Sequence, residues 1–227
     1  MQHASLKNLF FSIPVVTGLI FVGGPAMSLE QPSYTVVHEA GDIEYRQYDP
    51  YLVAETVIEP GAGYQAAGNE GFRRLFRYIT GSNQARAKIS MTAPVAQAPV
   101  SEKIAMTSPV AQTRSADAWR VAFMLPTQYT LDTAPQPTDS RVQLVQKPGR
   151  LMAVLRYSGR WTRANYTRKQ NALSQAIEAA DVGTSGDFES ALYDPPYMLP
   201  FMRRNEVMVE VDQLPAAAPE QELVAAY

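Results

Sequence analysis

Residues 51–79 read YLVAETVIEPGAGYQAAGNEGFRRLFRYI, and the hydrophobic period of this stretch changes near its middle. The first eight residues are mostly β-branched or apolar and predict a strand that ends before Pro60-Gly61. Beyond that break, four apolar residues recur at i, i+3, i+4 and i+7: Phe72, Leu75, Phe76 and Ile79. The stretch therefore predicts a strand followed by a helix over about residues 64–79, which Gly81 ends.

Two further strands are predicted ahead of this stretch. Residues 34–38 alternate between apolar and polar, and Gly41-Asp42 then turns the chain. Alternation in residues 42–48 puts two sets of side chains on opposite faces: Ile43, Tyr45 and Gln47 on one, and Glu44, Arg46 and Tyr48 on the other. Asp49-Pro50 separates this strand from the next one, since proline cannot continue a strand ladder.

The clearest strand pattern follows a short tandem repeat. Residues 88–97 read KISMTAPVAQ and recur at 103–112 as KIAMTSPVAQ, identical at eight of ten positions. Two copies are too few for a solenoid, so we expect short strands that end at Pro94 and Pro109 and fold back through Pro99. The pattern that follows alternates strictly, with one apolar face formed by Trp119, Val121, Phe123 and Leu125. No polar residue shares that face, so Trp119 and Phe123 are expected to be buried.

The second half of the chain repeats the order of the first. Residues 141–147 and 151–157 predict a strand pair turned by Pro148-Gly149, and residues 188–193 and 206–211 predict closing strands. Between them, residues of about 162–181 predict a helix with Thr162 as its N-cap. Its inward residues are expected to be Tyr166, Leu173, Ala176, Ile177 and Ala180. We therefore predict an α+β domain at 29–214: a distorted antiparallel β-barrel of two pseudo-symmetric halves, each contributing one helix.

Composition excludes several classes of function. The 227 residues are 46% hydrophobic and carry a formal net charge of −2, so no basic excess suggests nucleic acid as a partner. The absence of cysteine excludes disulfides, thiolate metal sites and a cysteine nucleophile. His3 and His38 are the only histidines, and the sequence contains neither a Gly-x-Ser-x-Gly elbow nor a phosphate-binding glycine motif. We therefore expect a protein that is not an enzyme.

The N-terminal residues 1–28 are typical of a secretory signal peptide. Lys7 precedes an apolar run over residues 9–22, and Ala26-Met27-Ser28 supplies the small-x-small pattern of a cleavage site. An uncleaved anchor is the alternative, but the run is short for a membrane span and contains a proline and a glycine. We expect export to the periplasm or medium, no membrane partner after removal of the signal peptide, and a flexible tail at 215–227.

Five motifs, in order between Tyr34 and Val211, make the chain resemble the SOUL heme-binding protein family. They are Ile43–Tyr48, the two Lys-Ile-x-Met-Thr-x-Pro-Val copies, Ala122–Pro126, Tyr193–Pro196 and Arg203–Val207. The resemblance implies a distorted β-barrel akin to small-molecule effector-binding domains. It also implies that heme or another tetrapyrrole binds in a hydrophobic groove beside the first helix, often without a firm axial ligand.

Candidate binding residues lie on that helix. Arg73 and Arg77 are one turn apart, so their guanidinium groups can converge on one anion, such as a heme propionate. In the family, the basic residue just before the helix's aromatic Tyr is implicated in propionate binding, and Arg77 matches that position. The same pattern also fits a solvated helix face. Phe72 and Phe76 fit either the core or contacts with a porphyrin ring.

Candidate metal ligands are few. His38 is the only histidine beyond residue 28 and could ligate heme iron or simply end its strand. The ligand histidine proposed for some animal members of the family corresponds here to Gln47, which is a poor iron ligand. Met91 and Met106 occupy matching places in the repeat and could be ligands or core residues.

The charged motif Arg203-Arg204-Asn205-Glu206 is expected to have a structural role, in which one of its charges pairs with Glu44 or Arg46. The function predicted from sequence is therefore an exported protein that holds, buffers or carries heme. The alternative is an effector-type module for another hydrophobic anion or a protein partner, for which heme is incidental.

Overall fold

The structure of the protein is a computed structural model that describes residues 29–84, 88–99 and 118–216. It shows one antiparallel sheet, curled into a half-barrel, with two helices, an α+β fold. The signal segment at 1–28, the second repeat copy at 103–112 and residues 217–227 lie outside the described residues. The elements are β1 Tyr34–Ala40, β2 Ile43–Tyr48, β3 Tyr51–Ile58, α1 Tyr64–Ile79, β4 Val95–Pro99, β5 Trp119–Met124, β6 Val142–Lys147, β7 Arg150–Tyr157, α2 Arg163–Ala179, β8 Thr184–Leu192 and β9 Asn205–Val211.

Both predicted helices are confirmed, and each packs on its own part of the sheet. The strand order is β1-β2-β7-β9-β8-β4-β5-β3-β6; α1 packs on β3, β5 and β6, and α2 on β7 and β9. The Thr162 side chain caps α2 by accepting a hydrogen bond from the Asn165 amide. α1 approaches β5 closely at Gly71, where a Cβ would lie 2.5 Å from Val121. The pseudo-twofold relation between the two halves stays a prediction.

The predicted pairing of the strands on either side of Pro148-Gly149 is wrong. β6 pairs with β3, whereas β7 pairs with β2 and β9. Because Tyr48 lies opposite Arg150 and Tyr51 opposite Lys147, the corner at Pro148-Gly149 faces the corner at Asp49-Pro50. Proline cannot donate to a ladder, so both chains bend at the same level and continue in different parts of the sheet.

The strand predicted to end at Pro94 instead begins after it, at Val95. Residues 88–93 form a loop that is tied to three parts of the fold. The amide of Ile89 donates to the carbonyl of Ile79, the amide of Ala93 donates to Glu30, and the Thr92 hydroxyl donates to the carbonyl of Met124. Proline lacks the amide hydrogen that a ladder needs, which explains why pairing starts only beyond it.

The main core lies between the helices and the inner face of the curled sheet. It includes Leu75 and Ile79 from α1, Leu173 and Ile177 from α2, and alternate residues of the central strands. Trp119 and Phe123 are both buried within it, as predicted. A second, smaller buried cluster lies on the other face and contains Tyr48, Met152, Val154, Ala191 and Met208.

Candidate functional site

The outward face of α1 brings the predicted binding residues together. Arg73, Phe76 and Arg77 are exposed there, and Phe72 is half-buried beside them. The buried positions of the helix are a different set: Tyr64, Ala67, Gly71, Arg74, Leu75, Tyr78 and Ile79. The sequence pattern therefore placed the apolar face about one position too far round the helix, toward Phe72 and Phe76.

The two phenylalanines form an aromatic ledge that continues from the core to the surface. The Phe72 ring meets the buried Phe123 ring edge-on, with 5.3 Å between centroids. On its other side it stacks against Phe76 at 5.7 Å and 12°. Phe76 remains 43% exposed, so it is not a core residue. An apolar flat ligand would cover this ring and remove it from water.

The arginines of α1 differ in how they are held. Arg74 is buried, and its Nη1 donates to the Thr56 hydroxyl at 2.8 Å and to the Val57 carbonyl at 3.2 Å. Arg73 pairs with Glu70 at 2.7 Å, the spacing i, i+3 on the helix surface. Arg77 is exposed, and no carboxylate among the described residues lies within 4 Å of it. Arg77 is therefore the cation of this face that is available to an external anion.

His38 lies away from this face. It is half-buried on β1, where its ring meets Tyr45 edge-on at 5.5 Å. β1 pairs only with β2 and forms one edge of the sheet, whereas α1 covers β3, β5 and β6 near the other edge. Met91 is half-buried and packs against the main core, and Met106 lies outside the described residues. Gln47 is exposed, and its amide donates to the Tyr48 carbonyl.

The predicted charge pairing between β2 and the last strand is confirmed. Arg46 and Glu206 are both fully buried, and two guanidinium nitrogens donate to the two carboxylate oxygens at 3.0 and 3.1 Å. Arg204 and the Tyr193 hydroxyl also donate to Glu206 at 2.8 and 2.7 Å, while Arg46 donates to Glu44 at 2.7 Å. This Arg46–Glu206 cluster joins two of the motifs that carry the family resemblance.

The electrostatics of this cluster favour its charged form. Burial alone raises the pKa of Glu206, but the hydrogen bonds and charge of Arg46, followed by Arg204 and Tyr193, outweigh it and hold that pKa below its ordinary value. Burial also raises the pKa of Tyr48 to about 12, although the neighbouring Arg46 opposes the shift. The cluster is therefore a saturated structural contact rather than a group poised for proton transfer.

One cleft lies on the face of the sheet opposite α1. Its volume is about 60 Å³, too small for a tetrapyrrole, since ligand pockets are typically about 300–1,000 Å³. The charges at its rim are already paired: Arg150 with Glu189 and Lys147 with Glu55, both at 2.8 Å. A large planar ligand is therefore better accommodated on the open face of α1.

Two searches of the described part of the chain bear on other functions. Within it, no group of three or more His, Asp or Glu residues is placed to hold a metal ion. No helix within residues 29–84, 88–99 and 118–216 is long and apolar enough to cross a bilayer.

Comparison with known proteins gives the class of this one. The family model of the SOUL heme-binding proteins matches residues 29–210, and the chain belongs to that family. It is 29% identical to Heme-binding protein 1 of Xenopus laevis over 165 residues, 72% of this chain and 80% of the relative. It is 25% identical to Heme-binding protein 2 of Mus musculus over 196 residues, 82% of this chain and 87% of the relative.

A solved structure supports the fold at a greater distance. The crystal structure of the EcmrR C-terminal domain matches 80% of this chain and 99% of its own, with a TM-score of 0.52 and 8% identity. That likeness concerns the fold alone. The resemblance to the SOUL family that the motifs indicated is confirmed, and heme binding is supported by the relatives of this chain.

Proposed function

We propose that the chain is an exported, non-enzymatic protein that holds, buffers or carries heme on the outward face of α1. The observation that carries this proposal is the exposed Phe76 ring, backed by Phe72, beside the unpaired Arg77. Heme combines an apolar planar ring with two propionates. An aromatic ledge next to an available guanidinium matches both parts of that ligand.

Arg73 is the second cation of this face, but Glu70 already holds it. An incoming propionate would compete with that carboxylate, which is itself shared with Arg74 at 3.3 Å. Since Arg77 has no such competitor, it is the main propionate partner in this proposal. Arg73 contributes less, through longer-range attraction.

Strong iron ligation is not part of the proposal. α1 carries no histidine, methionine or cysteine, and His38 lies at the other edge of the sheet. Axial ligands in heme proteins are drawn mainly from those residue types. Heme would therefore be held by burial of the porphyrin and by charge pairing. Such binding is suited to buffering or transfer.

Titration of the full chain with ferric heme, followed at the Soret band, tests the proposed function. We expect saturable binding of one heme per chain. Linear, non-saturating absorbance, or equal competition by unrelated hydrophobic anions, would contradict the proposal. That outcome would favour the alternative effector-type module.

Phe76→Ala should weaken heme binding by about tenfold and leave the fold intact. The ring is 43% exposed, so its removal costs little in the free protein, whereas in the complex it removes apolar area that heme would cover. Leu131→Ala is the matched control, because Leu131 is 44% exposed and lies outside α1. Equal heme affinity in both variants would place the ligand elsewhere.

Export has its own test. The charged start, the apolar run and the Ala26-Met27-Ser28 ending predict cleavage after Ser28. The intact mass of protein recovered from the periplasm or medium should correspond to a chain that begins at Leu29. Recovery of only the full-length chain, in the membrane fraction, would instead identify the segment as an anchor.

A further inference from the structure

The loop between β8 and β9 exposes the largest apolar side chains of the described molecule. Tyr197 is 86% exposed, Phe201 73%, Met202 59% and Leu199 55%. These four residues lie within six consecutive positions, here called the apolar loop, residues 197–202. Single exposed apolar residues are ordinary, but a contiguous group usually marks an interaction surface.

The apolar loop is braced from below. The amide of Gly159 donates to the Pro200 carbonyl at 2.8 Å. The Arg203 guanidinium donates to the carbonyls of Pro196 and Met198 and lies over the Trp161 ring, 4.6 Å from its centroid. The backbone is thereby held in one shape, and the apolar side chains project from it into solvent.

The segment that braces the loop is strongly cationic. Residues 156–177 contain five basic residues and no acidic one: Arg156, Arg160, Arg163, Arg168 and Lys169. Arg156, Arg160 and Arg163 are exposed, and no carboxylate of the described chain lies within 4 Å of any of the three. The whole chain carries a net charge of −2, so this positive region is a local feature. Arg160 directly follows Gly159, which holds the loop.

We infer that the apolar loop inserts into the surface of an anionic lipid bilayer while the neighbouring arginines bind its head groups. Aromatic and aliphatic side chains beside unpaired basic residues are the chemistry of interfacial membrane binding. Each basic residue near such a surface adds attraction to anionic lipid. Sequence analysis had predicted no membrane partner for the folded domain because no segment after the signal peptide can span a bilayer; a surface loop needs no span.

This inference is independent of the proposed heme site. Both sites combine aromatic side chains with arginine, but the heme face lies on α1 and the apolar loop rests on the turn before α2. A second protein is the other class of partner that could cover the loop. The acid-free cationic surroundings favour a surface of uniform negative charge over a protein surface of mixed sign.

The test uses the full chain, whose lack of cysteine allows a single labelling site. Met202→Cys carries an environment-sensitive fluorophore in the apolar loop, and Leu131→Cys carries it elsewhere as the control. Each is titrated with phosphatidylcholine vesicles, with and without phosphatidylglycerol. We expect a blue shift only for the loop label and only with anionic vesicles, whatever the N-terminal segment does.

Two substitutions on the labelled background separate the contributions. Phe201→Ser should weaken the vesicle-dependent shift by about tenfold or more, and Arg160→Glu by at least about fivefold. Heme titrations of both variants should match the parent. The inference is overturned by an unchanged loop spectrum with anionic vesicles, by equal shifts with neutral ones, or by unaltered binding in both variants. A loss of heme affinity in Phe201→Ser without vesicle binding would also overturn it, since the loop would then belong to the heme site.

Discussion

Phe123→Ala is expected to lower the free energy of unfolding by about 3 to 5 kcal/mol, through lost burial and the cavity left behind. Phe123 is only 3% exposed on β5, and its ring meets that of Phe72 edge-on. The cavity would open under α1, where Gly71 already brings helix and strand into close contact. Rigid packing on both sides leaves little room for the site to collapse.

Denaturant melts of the parent and the variant measure this effect. Phe201→Ala is the matched control, because the same side chain is deleted where it is 73% exposed, and its expected change is below about 0.5 kcal/mol. A loss below about 1 kcal/mol for Phe123→Ala would show that the core under α1 is not packed as described.

Glu206→Gln is expected to destabilise the fold by about 3 to 5 kcal/mol, because it removes the only negative charge that is fully buried beside Arg46. Arg46 would keep its partly exposed partner Glu44 but lose the two-point contact with Glu206. Arg204 and Tyr193 would lose the same charged acceptor.

The pH dependence of that loss follows from the direction of the pKa shift. The pKa of Glu206 is held below its ordinary value of 4.5, so its contribution is fully present above about pH 4.5 and disappears as pH falls through the lower folded value. The gap in stability between parent and Glu206→Gln should therefore narrow in acid. A gap that stays constant from neutral pH into acid would contradict the cluster's role. A change below about 1 kcal/mol at neutral pH would contradict it as well.

Element order was predictable because periodicity is local. The change from strand period to helix period in residues 51–79 fixes β3 and α1 without reference to any other part of the chain. Pairing is not local: β6 and β7 look like a hairpin in sequence, yet each pairs with a strand about a hundred residues earlier. Nothing within residues 141–157 indicates that two proline corners face each other.

The candidate site was predictable in part. Arg73, Phe76 and Arg77 share one face, as the spacing indicated, and the Glu70–Arg73 pair could have been read from the same i, i+3 spacing. The burial of Arg74 could not, since it depends on Thr56 and the Val57 carbonyl of β3. The Arg46–Glu206 pair was foreseeable, because charges within apolar strands need partners.

The site of heme attachment is the central claim, and parallel Soret titrations of two variants test it most directly. Arg77→Glu removes the unpaired cation of α1 and should weaken heme binding at least about tenfold, as a charge-assisted pair is worth about 1.5 to 3 kcal/mol when shielded. Arg168→Glu makes the same change of charge on α2 and should leave affinity near the parent value. His38→Ala should alter affinity less than about threefold and keep the ferric bands in place, since no strong ligand is lost. The opposite ranking, with His38→Ala abolishing the Soret shift and Arg77→Glu silent, would contradict binding on α1 and show an axially ligated site at the β1 edge of the sheet.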